Sequence, residues 1–191
     1  DVIADFTLEP TNTADFLLEH IGKESTRGKD LEKFVEESLF GTVNYWKDWI
    51  NESNYTGRWR DMVNRSSLVL KMLTSYNYGS MIAAGTFGLP ESIGGSRNFD
   101  YRYTWIRDAS FSMYSLILLG YTKEAGAFMN WVEKQCEDIQ GQSRLGIMYS
   151  IDGKAKLEEK NLPNFEGYKG SSPVRIGNEA YGKLQLDIYG E

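Results

Sequence analysis

Asn98-Phe-Asp-Tyr-Arg-Tyr-Thr-Trp-Ile-Arg-Asp-Ala-Ser-Phe-Ser-Met-Tyr-Ser-Leu-Ile-Leu-Leu119 holds two kinds of sequence in one run. From about Ile106 to Leu119 it is apolar at Phe111, Met113, Tyr114, Leu116, Ile117 and Leu118. That pattern predicts a helix buried on nearly all sides, and Gly120 ends it. The preceding residues are aromatic and charged, and they feed into the helix start. Arg107 and Asp108 therefore fall in the first turn, where the helix dipole favours a carboxylate. Tyr101, Tyr103 and Trp105 offer flat apolar faces with polar tips. Arg107 is a fork of donors and Asp108 a pair of acceptors, able to grip adjacent hydroxyls of a polyol. Aromatic platforms with Arg and Asp at the rim are a way to hold a sugar. The residues alone also admit a structural reading, with Asp108 stabilising the helix start, Arg107 as its ion-pair partner and the aromatics as core.

Outward from this run the rhythm is helix–loop–helix. Upstream, the long glycine- and aromatic-rich segment Thr74 to Trp105 is uncommon in a domain unless it is functional. Within it, Ser80 to Ala84 reads as a helical turn or a buried strand. A helix is expected from about Asp30, as cap, to Ile50, with Gly41 a point where it breaks, and a second from about Gly57 to Leu73. Trp46, Trp49, Trp59 and Trp131 fall on apolar helix faces and read as core. Downstream, Thr122 opens a helix to about Gln140 that buries Cys136. Gly146 to Leu157 reads as a β-hairpin around Asp152-Gly153. Asn178 then caps a last helix with Tyr181, Leu184, Ile188 and Tyr189. At the other end, Asp1 to Leu8 reads as a short strand broken at Pro10. The fold expected is mainly α, with a short hairpin and a residual N-terminal strand.

Composition excludes several classes. The 191 residues carry a net charge of −6 and 41% hydrophobic residues. That is enough to build a core. There is no basic stripe for nucleic acid and no apolar run long enough for a membrane span. One cysteine, Cys136, rules out an internal disulfide, and with the single histidine, His20, it leaves too few soft ligands for a zinc site. No cofactor-binding or Ser-His-Asp pattern appears. Glycosidic hydrolysis needs two carboxylates, and no spacing picks a pair from Glu91, Asp100, Asp108, Glu158, Glu159 and Glu166. Glu158 and Glu159 read as part of a solvated hairpin face.

Two long motifs, in order, carry a resemblance. Gly85-Thr-Phe-Gly-Leu-Pro-Glu-Ser-Ile-Gly-Gly-Ser-Arg-Asn-Phe-Asp-Tyr-Arg-Tyr-Thr-Trp-Ile-Arg-Asp108 is similar to the signature of glycoside hydrolase family 15, which holds glucoamylases, glucodextranases and some prokaryotic trehalases. Gly146-Ile-Met-Tyr-Ser-Ile-Asp-Gly153, followed by Glu166-Gly-Tyr-Lys-Gly-Ser-Ser-Pro-Val-Arg-Ile-Gly-Asn178, resembles its prokaryotic branch. The resemblance covers about residues 25 to 191.

It implies a partial (α/α)6 barrel over residues 29–191, preceded by the end of a β-sandwich domain and a linker over residues 1–28. It implies inverting, exo-acting hydrolysis of α-glucosidic bonds, of the glucoamylase kind, with trehalase as the alternative. A non-catalytic helical sugar-binding module is the rival of another class. Tyr101, Trp105, Arg107 and Asp108 match positions that line the subsite for the non-reducing glucose, and Arg175 lies in a stretch near the neighbouring sugar. The general acid and base are expected beyond Glu191, so this chain alone is expected to be inactive. Ser172 stands where fungal members have a tryptophan, so their preference for starch chains does not carry over. The expected substrate is a malto- or isomalto-oligosaccharide or trehalose, without metal or cofactor. The remaining expectations are a cytoplasmic setting and a cover for the exposed helices, either the rest of the parent chain or a second copy.

Overall fold

Asp30 starts the first helix, because its Oδ1 accepts a hydrogen bond from Lys33 N at 3.3 Å, the geometry of a side-chain cap. The helix, α1, runs Leu31–Asn51. Gly41 does not break it. An interior glycine costs about 0.5–1 kcal/mol, a small penalty in a helix of 21 residues. Near its C-terminal end Tyr45, Trp46 and Trp49 form a ladder of edge-to-face rings, with centroids 5.3 and 6.3 Å apart, and Trp49 is buried. The computed structural model describes residues 3–18, 30–137 and 144–190. The chain divides into two compact units, Asp1–Asn51 and Glu52–Glu191. In the first unit, residues 3–9 form no strand; Phe6 and Leu8 are exposed. The expected N-terminal strand is thus corrected over its described residues: a strand needs a pairing partner, and none is present among them. Asp1, Val2, His20 and the stretch around Gly28 lie outside the described residues.

In the second unit, three helices follow: α2 (Arg60–Leu73), α3 (Ile106–Leu118) and α4 (Thr122–Glu137). Trp59 precedes α2 and is exposed, with Arg58 over its ring at 4.3 Å, so it is not the core residue expected. Helices α3 and α4 form a hairpin. Gly120 turns it in the left-handed region (φ +97°). Gly120 N donates to Ile117 O and Tyr121 N to Leu116 O, both at 2.9 Å, the paired bonds of a Schellman stop. The last three residues of the expected helix, to Gln140, lie outside the described residues.

The core sits between these two helices and a short strand. Met113 and Leu116 of α3 are buried with Ala125, Phe128 and Trp131 of α4. Phe128 stacks on Trp131 at 5.8 Å, and Trp131 meets Tyr149 edge-on at 5.8 Å. Helix α3 is not buried all round. Ile106, Ala109, Met113 and Leu116 are covered, but Phe111, Tyr114, Ile117 and Leu118 are exposed. The apolar circumference is real, yet among the described residues a partner layer covers one side of it. Cys136 is also corrected, from buried to exposed. It lies one residue past Gln135 and so just off the buried face of α4, which carries Phe128, Trp131 and Gln135.

Strand content is small. β1 (Thr104–Trp105) pairs antiparallel with β2 (Met148–Tyr149), and β3 (Lys160–Asn161) with β4 (Arg175–Ile176). The Asp152-Gly153 turn forms, with Ser150 N donating to Lys154 O at 2.9 Å, but its flanks do not pair as a hairpin. The buried residues Met148 and Tyr149 take the distant β1 instead, since a buried strand needs its backbone satisfied by whichever neighbour the core supplies. Ser80 to Ala84 is neither a helical turn nor a named strand. Met81 makes one bridge to Thr74, and the amides of Ala83 and Ala84 donate to Tyr103 O and Tyr101 O, both at 2.9 Å. After Asn178 the expected α-helix is two 3-10 turns, Glu179–Gly182 and Asp187–Tyr189. Asn178 does cap, its Oδ1 accepting from Ala180 N at 3.0 Å, but Lys183 leaves the turn in extended geometry just after Gly182. The described residues are mainly helical, and no helix among them is long and apolar enough to cross a membrane.

Candidate functional site

The side chains of residues 98–101 alternate between core and cavity, and a bend at Tyr103 precedes the short strand Thr104–Trp105. Asn98, Asp100 and Thr104 are fully buried. Phe99, Tyr101 and Trp105 form one wall of a cavity of about 450 Å³. Tyr101 lies 5.9 Å from Trp105, with the rings tilted by 35°, and 6.4 Å from Phe99, edge-on. The facing wall is polar and comes from β4 and the turns around it, with Glu159, Arg175, Glu179 and Lys183. Arg175 Nη1 donates to Glu159 Oε2 at 3.0 Å, and Glu159 Oε1 accepts from Glu179 N at 3.3 Å. Glu159 is therefore not part of a solvated face. Its side chain is 17% exposed, against 68% for the neighbouring Glu158, and both its oxygens are engaged in fixing Arg175 and the Glu179 turn.

A second cavity, of about 230 Å³, lies on the other side of Trp105. Leu70, Leu73 and Met81 line it, together with Asp108 and Ser112 of α3. Asp108 sits in the first turn of α3 as expected. Arg107 lines neither cavity. Its Nη1 donates to Asp187 Oδ2 at 2.9 Å, and its Nη2 lies 3.3 Å from both oxygens of Asp108. The Asp187 hydrogen bond first, and the Asp108 charge second, raise the Arg107 pKa above its ordinary value. The structure thus brings Tyr101, Trp105 and Arg175 onto one cavity, sets Asp108 on the next with Trp105 shared, and holds Arg107 between two carboxylates.

Sequence reasoning missed Asp187, Glu159 and the part played by Asp100. Asp187 is far from Arg107 in sequence and no local spacing marks it. Glu159 lay in a charged stretch. Asp100 had a signal, the alternation of buried and cavity-facing residues around it. Among the described residues no group of three His, Cys, Asp or Glu is arranged to hold a metal. An aromatic wall opposite hydrogen-bonding and charged groups is suited to a ligand with apolar C–H faces and a rim of hydroxyls.

Residues 57–191 match the model of glycosyl hydrolases family 15. The chain belongs to that family. It is 40% identical to a trehalase of Thermoplasma acidophilum over 189 residues, 99% of this chain and 32% of that protein. It is 46% identical to a trehalase of Thermoplasma volcanium over 149 residues, 78% of this chain and 23% of that one. A trehalase of Mycobacterium tuberculosis is 39% identical over 160 residues, 81% of this chain and 23% of that one. The chain therefore spans a third or less of the length of these curated relatives. No solved structure matches it.

Proposed function

We propose that the cavity walled by Tyr101, Trp105 and Arg175 holds a glucose unit for hydrolysis of an α-glucoside, and that the substrate is trehalose. The observation that carries the reading is the pairing of a tilted Tyr101–Trp105 platform with Arg175 fixed by Glu159 on the facing wall. The relatives' name supports trehalose over starch-like chains, so the glucoamylase expectation gives way to its alternative. Tyr101 and Trp105 would pack against the ring face. Arg175 would donate to its hydroxyls; Asp108 lines the neighbouring cavity and Arg107 neither, and Arg107→Ala tests whether that pair also holds the sugar.

The reaction of the family is inverting, with one carboxyl as acid and one as base separated by about 6.5–9.5 Å. Three described carboxylates line this cavity, Glu91, Glu159 and Glu179; Glu159 is held by Arg175 and the Glu179 amide, and Glu91 pairs with Arg97 at 3.0 Å. Glu91 and Glu159 read as structural, and in this reading the acid and base lie outside the residues that hold the sugar. In this reading α2 to α4 belong to an (α/α)6 barrel, whose other helices would cover the exposed side of α3.

The test is substrate profiling of the full-length protein. Hydrolysis of trehalose with kcat/KM at least about tenfold above maltose and isomaltose is expected, a difference of about 1.4 kcal/mol in transition-state binding. A preference for maltose would return the reading to a glucoamylase.

A further inference from the structure

Asp100 is fully buried and lines neither cavity, yet it ties the run that carries the aromatic wall of the larger one to the segment that carries Arg175. Its Oδ1 accepts from Arg102 N at 3.1 Å and from Arg102 Nε at 2.9 Å. Its Oδ2 accepts from Arg102 Nη2 at 2.8 Å and from Gly177 N at 3.2 Å. Its backbone carbonyl accepts from Asn178 Nδ2 at 3.0 Å. Arg102, locked by this bidentate grip, lies over the Phe87 ring at 4.2 Å, and Phe87 is itself bridged to Asp100 through the backbone. Tyr103 Oη accepts from Gly177 N at 3.1 Å.

The bonds join two segments far apart in sequence. One carries Tyr101, next to Asp100, and Trp105. The other carries Arg175, two residues before Gly177, and ends in Asn178. Neither segment has a long ladder of its own, since β1 and β4 are two residues each. Their separation is therefore set by bonds that involve side chains: Asp100 takes Gly177 N and Asn178 Nδ2, Tyr103 Oη shares the Gly177 amide, Asn98 Nδ2 reaches Pro173 O and Arg175 Nη2 reaches Ser96 O. Gly177 is matched to this arrangement. It has φ +85°, and a Cβ there would collide with Glu158 O, so the amide that faces Asp100 has little freedom to move.

We propose that Asp100 is a positioning residue that fixes the distance between the aromatic wall and the Arg175 wall without touching the sugar. The proposal rests on the cavity being the sugar site. Asp100→Asn isolates the role. It can keep an acceptor toward Arg102 N and Nε, but puts an amide where Oδ2 accepted from Gly177 N. A shift of the order of 1 Å between the walls costs up to about a hundredfold in a positioned site.

The experiment measures trehalose hydrolysis, the thermal midpoint and amide exchange at Gly177 and Asn178 in the full-length protein. Three variants are compared: Asp100→Asn, Arg102→Lys and Trp105→Ala. Asp100→Asn is expected to raise KM about ten- to a hundredfold, to change kcat less than KM, and to speed exchange at Gly177. Arg102→Lys keeps the charge and loses the fork. It is expected to give the same split in smaller measure, and it keeps the question answerable if Asp100→Asn does not fold. A lowered midpoint with unchanged KM in the folded variants would overturn the proposal and leave Asp100 a residue of stability alone. If Trp105→Ala left KM unchanged, the sugar-site reading itself would fall, and the role of Asp100 with it.

Discussion

Arg107→Ala separates the two readings of the Arg107–Asp108 pair by magnitude. As a purely structural group, Arg107 contributes two ion pairs, to Asp187 at 2.9 Å and to Asp108 at 3.3 Å. The side chains are 32%, 45% and 50% exposed for Arg107, Asp187 and Asp108. Exposed pairs contribute about 0–1 kcal/mol each, so a loss of about 1 kcal/mol is expected on removing the arginine. That lowers Tm by about 2–4 °C in a protein of 150–250 residues and by less in a longer one. As a sugar-holding group it would do more. A guanidinium has five N–H donors, and the two carboxylates leave some of them free. A hydrogen bond from a charged donor contributes about 1.5–3 kcal/mol, which is about ten- to 150-fold in affinity. Differential scanning fluorimetry and calorimetric titration of the full-length protein with trehalose and glucose read both quantities on one sample. The sugar reading expects a small fall in Tm with a tenfold or larger loss of affinity. A fall in Tm with unchanged affinity would refute the reasoning and leave Arg107 as an ion-pair partner only.

Two further outcomes follow from the same geometry. Burial alone would raise the Asp100 pKa, but the hydrogen bonds and charge of Arg102, with the Gly177 amide, outweigh it and hold the carboxyl below its ordinary value of 3.8. A carboxyl depressed on folding stabilises the fold above its unfolded value and loses that contribution as pH falls through the folded value. Acid unfolding of the wild type below about pH 4 should therefore steepen relative to Asp100→Asn, and parallel acid limbs in the two proteins would contradict this. The exposed Cys136 should react with a thiol reagent in the native state, without denaturant, in one full equivalent; a thiol that reacts only on unfolding would contradict its placement.

The helices were legible because their signals are local. Asp30 as cap, Gly120 as stop and the apolar spacing of α2 to α4 need only neighbours within a few residues. Sidedness was not legible. The sequence of α3 is apolar around its circumference, and which side is covered depends on elements a sequence pattern does not order. The Asp152-Gly153 turn was found for the same local reason, whereas the partners of Met148 and Tyr149 lie 43 and 45 residues upstream, Trp105 facing Met148 and Thr104 facing Tyr149. The site divides along the same line. Tyr101, Trp105 and Asp108 stand in one run and could be read together. Glu159 fixing Arg175, and Asp187 meeting Arg107 across 80 residues, are long-range pairs between charged side chains in stretches of otherwise ordinary polarity.

The alternation in residues 98–101 explains how such a site can be rigid with little regular structure. Asn98, Asp100 and Thr104 lie at zero exposure, and a buried polar group left without partners is costly. Asn98 Nδ2 donates to Pro173 O at 3.1 Å, and Asp100 reaches Gly177 and Asn178. Part of the demand for partners on the inner side of the run is thus met by the segment that carries Arg175. Asn98 and Asp100, buried behind Phe99 and Tyr101, hold the opposite segment at a fixed place, whereas Thr104 Oγ1 behind Trp105 has no hydrogen-bond partner. The aromatic wall then needs no ladder behind it, and its residues are free to be chosen for the ligand. A substitution on the hidden side should therefore disturb recognition as much as one on the cavity side, while an exchange among the aromatics should leave the frame intact. Asp100→Asn against Trp105→Phe, compared for amide exchange at Gly177, distinguishes the two: the first should loosen the facing segment and the second should not.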